Sequence, residues 1–193
     1  MPLEIEAKMQ VHDHAPIRQR LELAGARRLH RHLETNTFID TLDHPLQQRD
    51  SGLRIRRALD MDTALVTAVI THKGPCQPGL LKIRPETELK VASYEDAVAL
   101  MEALDYHITL CFEKRRDSWQ LDGCEIELDE LPQLGRFVEI EGPSEVAIQS
   151  VRARLDLAGH PLIQTGYATL VSRHLTATVP DSRTLTFADC PVA

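Results

Sequence analysis

Residues 3–11, Leu-Glu-Ile-Glu-Ala-Lys-Met-Gln-Val (LEIEAKMQV), alternate apolar and polar side chains. Successive side chains on a strand point to opposite faces. This stretch is therefore a β-strand with one apolar face and one face bearing Glu4, Glu6 and Lys8. What the charged face meets decides the fold: water over an open sheet, or an enclosed space filled with ions.

The pattern recurs along the chain. GLRIRR sets Arg54 and Arg56 on one face, and LLKIRPETELK does the same for Lys82, Arg84, Glu86, Glu88 and Lys90. FEKRRDS brings Lys114 and Arg116 together, CEIELDE brings Glu125, Glu127 and Asp129, and RFVEIEG brings Glu139 and Glu141. An antiparallel sheet with one wet face gives the same alternation. Such a face, however, mixes Thr, Ser and Gln with its charges. Here the polar face is almost entirely ionisable, with Arg54 and Arg56 on one stretch and the carboxylates of 125–141 on two later ones.

A closed barrel accounts for this better. About eight strands are legible: residues 3–11 and roughly 28–42, 50–59, 63–73, 80–91, 107–120, 123–130 and 135–142. Eight strands enclose a small interior that can hold a ligand. The expected fold is thus α+β: a closed eight-stranded antiparallel β-barrel with a charged interior, covered outside by helices. Asp13 predicts the cap of a helix carrying Ile17, Leu21 and Ala24 and ending at Gly25. Ser93 predicts a second with Ala97, Leu100, Met101 and Leu104 on one face, and Ser144 a third with Ile148, Val151 and Leu155, reaching Gly159. A shorter helix is expected over 165–174, and Asp122-Gly123 is a hairpin turn. Glu-x-Glu-x-Lys occurs twice, at Glu4, Glu6, Lys8 and at Glu86, Glu88, Lys90, each time before a helix and a meander, which suggests two related halves.

Charges lining an interior are unfavourable unless paired or neutralised by a ligand. Carboxylates suit divalent cations, which prefer oxygen donors; arginine and lysine suit phosphate oxygens. Together they describe a site for a metal ion and a polyphosphate.

These residues resemble the signature of the CYTH family, also called triphosphate tunnel metalloenzymes. Its opening Glu-x-Glu-x-Lys is met by Glu4, Glu6 and Lys8, and later motifs follow in order: LRIRR, THKGP, KIRPETELK, EKRRDSW and IELDELPQLGRFVEIE. The resemblance spans residues 2–175, leaving 176–193 as an extension in which TLTF (184–187) can pair as an edge strand. It implies a tunnel that binds a triphosphate with Mg²⁺ or Mn²⁺. Lys8, Arg54, Arg56, Lys73, Arg84, Lys114 and Arg116 would grip phosphates, with Lys8 and Lys73 also catalytic, and Glu4, Glu6, Asp129, Glu139 and Glu141 would hold metal. For Glu86, Glu88, Glu125 and Glu127 ion pairing is the favoured role. The implied activity is hydrolysis of a triphosphate, with class IV-type adenylate cyclisation and non-catalytic nucleotide or polyphosphate binding as alternatives. Pro85 departs from the pattern, standing where an acidic residue is common.

The bounds agree. The 193 residues, 42% of them hydrophobic, suffice for one packed domain. A net charge of −7 argues against nucleic-acid binding and against anionic membranes. No apolar run is long enough to span a bilayer and no signal peptide is visible, so a cytoplasmic protein, monomeric or homodimeric, is expected. Cys76, Cys111, Cys124 and Cys190 form no Cys-x-x-Cys motif and are expected as free thiols. His12, His14, His30 and His32 are expected at the surface, and Trp119 and Phe137 in packing roles.

Overall fold

The two longest strands, β2 (Arg27–Asp40) and β6 (His107–Leu121), pair antiparallel from Arg27↔Gln120 to Asp40↔His107 and thereby turn a sheet into a barrel. The computed structural model describes residues 3–189; Cys190 and the end of the C-terminal extension lie outside them. The other barrel strands are β1 (Leu3–Val11), β3 (Gly52–Asp60), β4 (Val66–Lys73), β5 (Lys82–Val91), β7 (Cys124–Leu131) and β8 (Gly135–Glu141). Their order is β2-β3-β4-β5-β1-β8-β7-β6, and every neighbour is antiparallel. Advancing each label by four maps this order onto itself: β2–β3 onto β6–β7, β4–β5 onto β8–β1, and the closing pair onto its own reverse. The doubled Glu-x-Glu-x-Lys motif falls on the two equivalent strands, at the start of β1 and in the second half of β5.

Alternation then divides the side chains. Ala7, Met9 and Val11 of β1, Ile126 and Leu128 of β7, and Val138 and Ile140 of β8 point outward and are buried. They are covered by α1 (Ala15–Leu23), through Ile17 and Leu21, and by α4 (Glu145–Arg154), through Ile148, Val151 and Leu155. Ile148, Val151 and Leu155 are fully buried, and each such side chain is worth about 1.5–3 kcal/mol. Trp119 belongs to this outer core. Cover elsewhere is thinner: α3 (Tyr94–Ala103) contributes Ala97 and Met101 over β3 and β4, while Leu100 and Leu104 stay exposed.

Several local features differ from the sequence reading. Helix α1 is capped at His14, with Asp13 accepting from the Ala15 N–H instead. Ser93 and Ser144 do cap α3 and α4, accepting from Asp96 and Ala147, but α4 ends at Arg154 because Asp156 takes a positive φ. The short helix expected over 165–174 is α5 (Tyr167–Thr178), and it does not lie on the barrel's outer face. Its Tyr167, Val171 and Leu175 pack on Leu110, Phe112 and Phe137, which share strand parity with the charged lumen residues, so α5 plugs one end of the barrel. A two-residue strand β9 (Thr184–Leu185), inside the TLTF stretch, pairs parallel to β6 and straps that helix down. A short helix α2 (Pro45–Gln48) lies between β2 and β3 near the same end.

Candidate active site

The barrel encloses a cavity of about 1280 Å³. Glu4, Glu6 and Lys8 (β1), Arg54 and Arg56 (β3), Lys73 (β4), Arg84 (β5), Lys114 and Arg116 (β6), and Glu139 and Glu141 (β8) all line it. Asp129 alone of the anticipated set is completely buried behind that wall, holding Arg116. Acids and bases on the wall are nearly equal in number, so the lumen largely neutralises itself.

It does so through specific pairs. Lys73 contacts Glu4 at 2.7 Å and Glu86 at 2.6 Å; Lys82 contacts Glu6 at 2.6 Å. Lys8 reaches Glu139 at 3.0 Å and Glu6 at 3.5 Å. Arg116 makes a two-pronged bond to Asp129, at 2.7 and 2.6 Å, and a further contact to Glu139 at 2.6 Å. Burial by itself would lower the pKa of Lys8, but Glu139 and Glu6 outweigh it and raise it, so this lysine stays a cation. Burial likewise disfavours charge on Glu139, and Lys8, Arg116, Lys114 and Lys82 nevertheless hold its carboxyl well below the usual range.

Two arginines stand apart. Arg84 is held by backbone, donating to the carbonyls of Gly74 (2.7 Å) and Asp50 (2.8 Å). That loop needs glycine: a Cβ on Gly74 would sit 2.6 Å from the Pro85 ring. Arg54 donates to the neutral oxygens of Asn36 and Thr71, both at 3.3 Å, and its closest carboxylate, Glu88, is 4.0 Å away. Its buried Nε has no hydrogen-bond partner. Burial, then the like charge of Arg56, lowers its pKa. An enclosed cation without a close anion is costly, and Arg54, mostly enclosed, has no carboxylate nearer than 4.0 Å.

The two ends of the cavity differ in chemistry. Toward one lie Glu4, Glu125, Glu141, His30 and His32; toward the end plugged by α5 lie Phe38, Leu110, Phe112 and Leu46. The imidazoles of His30 and His32 stack with centroids 4.0 Å apart and line the mouth, half-buried, whereas His14, expected at the surface, is buried with its Nε2 on the Phe137 carbonyl. Glu141 is reached by water through the mouth, yet the protein packed around it, and then the charges of Glu4, Glu6 and Glu86, push its pKa up to about 7.

Three wall residues escaped the sequence reading of the site. Lys82 shows the right parity and opens KIRPETELK, but that motif gives it no role; Glu34 shows the right parity in the long strand β2 and belongs to no motif. Tyr167 had no signal, because it enters from a helix: Lys8 lies 4.2 Å and Lys114 5.1 Å from its ring centre.

The donor chemistry fits a hard divalent cation. Glu4, Glu6, Glu86 and Glu141 are oxygen donors crowded closely enough to raise the Glu141 pKa, a repulsion that a 2+ ion relieves. Among the described residues, though, no three acidic, histidine or cysteine side chains converge as a ready cage. Glu4, Glu6, Asp129 and Glu139 are each closed on a lysine or arginine and have to exchange partners to take up metal.

Comparison with known proteins adds independent findings. The CYTH domain model matches residues 2–155. A Methanocaldococcus jannaschii protein named "Putative adenylate cyclase" is 24% identical over 139 residues, covering 72% of this chain and 76% of its own. A Pyrococcus horikoshii OT3 protein superposes with a TM-score of 0.77 at 22% identity, over 89% of this chain and 99% of that one. A Hippeastrum protein, named "Putative adenylyl cyclase" and described by a dominant triphosphatase activity, superposes with a TM-score of 0.67 at 19% identity, over 89% and 95%.

Proposed function

The chain belongs to the CYTH domain family, and on that footing we propose that it is a metal-dependent triphosphatase. The carrying observation is Arg54: a mostly enclosed guanidinium with a buried, unpartnered Nε, held by neutral groups beside Arg56, in a cavity lined by further cations. A polyanion supplies what the fold withholds there. Arg54 and Arg56 are two residues apart on the same face of one strand, about 7 Å, near enough for both long side chains to reach one polyphosphate chain.

Arg54, Arg56, Lys114 and Arg84 grip phosphate oxygens, and Lys8 and Lys73 serve as cations that steady the charge growing on the bridging oxygen. Lys8 cannot act as a base, since Glu139 and Glu6 keep it protonated. As the phosphates take over the bases, Glu4, Glu6, Glu139 and Glu141 would be free to hold Mg²⁺ or Mn²⁺, while Asp129 anchors Arg116. Such an ion would supply charge neutralisation and lower the pKa of water. Water's oxygen bonds to the terminal phosphorus as the bridging P–O bond breaks; the leaving phosphate keeps the electron pair, and the proton passes to solvent through the open acidic mouth.

Class IV-type adenylate cyclisation is the second reading, favoured by the apolar end of the cavity at Phe38, Leu110 and Phe112, which suits an organic group better than bare phosphate. A panel of tripolyphosphate, thiamine triphosphate and ATP with each metal, scoring phosphate and cyclic AMP separately, distinguishes the two. No turnover of any would leave a binding protein. In the triphosphatase reading Arg54→Ala lowers kcat/KM on the preferred triphosphate by about 100-fold with little change in melting temperature, because relief of the like charge of Arg56 offsets the long bonds to Asn36 and Thr71 that are lost. Unchanged kinetics would remove Arg54 from the site.

A further inference from the structure

Glu34 has no part in the mechanism above, yet it occupies the centre of the basic wall. It is 2% exposed, and on β2 it faces Ala58 of β3 and Lys114 of β6. Its carboxylate lies 3.4 Å from Lys114, 3.6 Å from Arg56 and 3.5 Å from the Asn36 amide. Charge-assisted hydrogen bonds close to about 2.7–2.9 Å. Across the lumen, Glu4, Glu6 and Asp129 do close on their bases, at 2.7, 2.6 and 2.6 Å. Glu34 therefore sits amid a cage of cations without closing on any of them. Burial would raise the pKa of its carboxyl; Lys114, Arg116, Arg56 and Arg54 outweigh burial and keep it ionised.

An ionised carboxylate held at arm's length by several bases has the charge sign and oxygen chemistry of one edge of a phosphoryl group. We propose that Glu34 is a resident stand-in for phosphate, gathering Arg56 and Lys114 in the empty tunnel and competing with the entering phosphoryl group for them. This rests on the reading of the tunnel as a triphosphate site, and it deepens that reading: the innermost phosphate position lies between Arg56 and Lys114, and its affinity is held down from within. A tunnel lined by unopposed bases would hold its product too tightly to turn over; an internal anion that retakes the bases as phosphate leaves eases that step.

The role has a signature that ordinary structural support lacks. Removing the charge takes from Arg56 and Lys114 a buried counterion, so the empty protein loses stability, while anions bind more tightly because their competitor is gone. Loss of mere support would lower both together. Glu34→Gln keeps the shape and an acceptor oxygen. Titration calorimetry with inorganic tripolyphosphate, without metal and at fixed salt, is expected to show binding about tenfold tighter than wild type. Scanning calorimetry is expected to show a lower melting temperature without ligand and a larger rise with it. Equal or weaker binding by the variant, with wild type binding normally, overturns the inference; no binding by wild type either without metal or in a repeat with Mg²⁺ overturns the triphosphate reading beneath it. If Glu34→Gln does not fold, Glu34→Asp keeps the charge but withdraws it by one methylene. It is expected to bind about two- to fivefold tighter, and equal or weaker binding by it overturns the inference likewise.

Discussion

The two copies of Glu-x-Glu-x-Lys meet different fates. In β1, Glu6 and Lys8 are buried in the lumen and locked to Lys82 and Glu139. In β5, the Glu88 side chain is 45% exposed and Lys90 is exposed too. The motif is the same; the neighbours are not. Strand β1 lies between β5 and β8, with α1 and α4 packed behind it. Strand β5 runs past the start of β1, where the last register pair is Leu3↔Pro85, so its residues 86–91 pair only with β4 among the described residues. A local pattern sets which way a side chain points, and the strands on either side set whether water reaches it.

Matched substitutions in the two copies test this directly. Lys8→Ala leaves Glu139 and Glu6 short of a buried counterion and is expected to cost about 3 kcal/mol of unfolding free energy; Lys90→Ala is expected to change it by no more than about 0.5 kcal/mol. Equal values in urea titrations would break the comparison. A smaller contrast is expected for the acids. Glu6→Gln strips Lys82 of its partner at 2.6 Å and costs about 1–3 kcal/mol, whereas Glu88→Gln loses a half-exposed pair with Arg56 and costs under about 1 kcal/mol.

The smallest effect is one of pH and concerns β8, the strand equivalent to β4. The Glu141 pKa is pushed up to about 7, above the value of about 4.3 in an unfolded chain. The folded state thus holds this proton more tightly. The group's contribution to stability is fully present below about pH 4.3 and is lost as pH rises through about 7. Glu141→Gln, which cannot ionise, is expected to lessen the fall in melting temperature between pH 5 and 8. An unchanged slope would mean that neither burial nor the neighbouring carboxylates make the folded state hold the Glu141 proton more tightly.

Most of the barrel was legible because alternation is a local signal and these strands carry it over long runs. Residues 124–131 and 135–141 needed only parity and the Asp122-Gly123 turn. The lumen wall followed from the same parity, which is why Glu4, Glu6, Arg54, Arg56, Arg84, Glu139 and Glu141 share one cavity. What sequence did not disclose is set by partners distant in the chain. Parity places Glu34 on the lumen face, but the bases around it come from β3 and β6. Tyr167 arrives from a helix whose apolar stripe says that it packs, not that it packs inside a barrel mouth. The pairing of Lys73 with Glu4 and Glu86, rather than an open carboxylate cluster, depends on three strands at once.

The closing pair has a consequence for how the molecule is made. Strand β2 leaves its register partner β6 some way behind it in synthesis: Asp40 pairs with His107, and Arg27 with Gln120. Strand β1 waits longer, since β8 begins at Gly135. Until then the N-terminal half carries uncovered edges on β1 and β2, where unpaired backbone groups recruit other chains. Pairings so distant in sequence form slowly, in milliseconds to seconds. A nascent chain stalled before residue 107 therefore presents an adhesive ribbon in place of a tunnel, and sheltering that ribbon falls to whatever meets it at the ribosome.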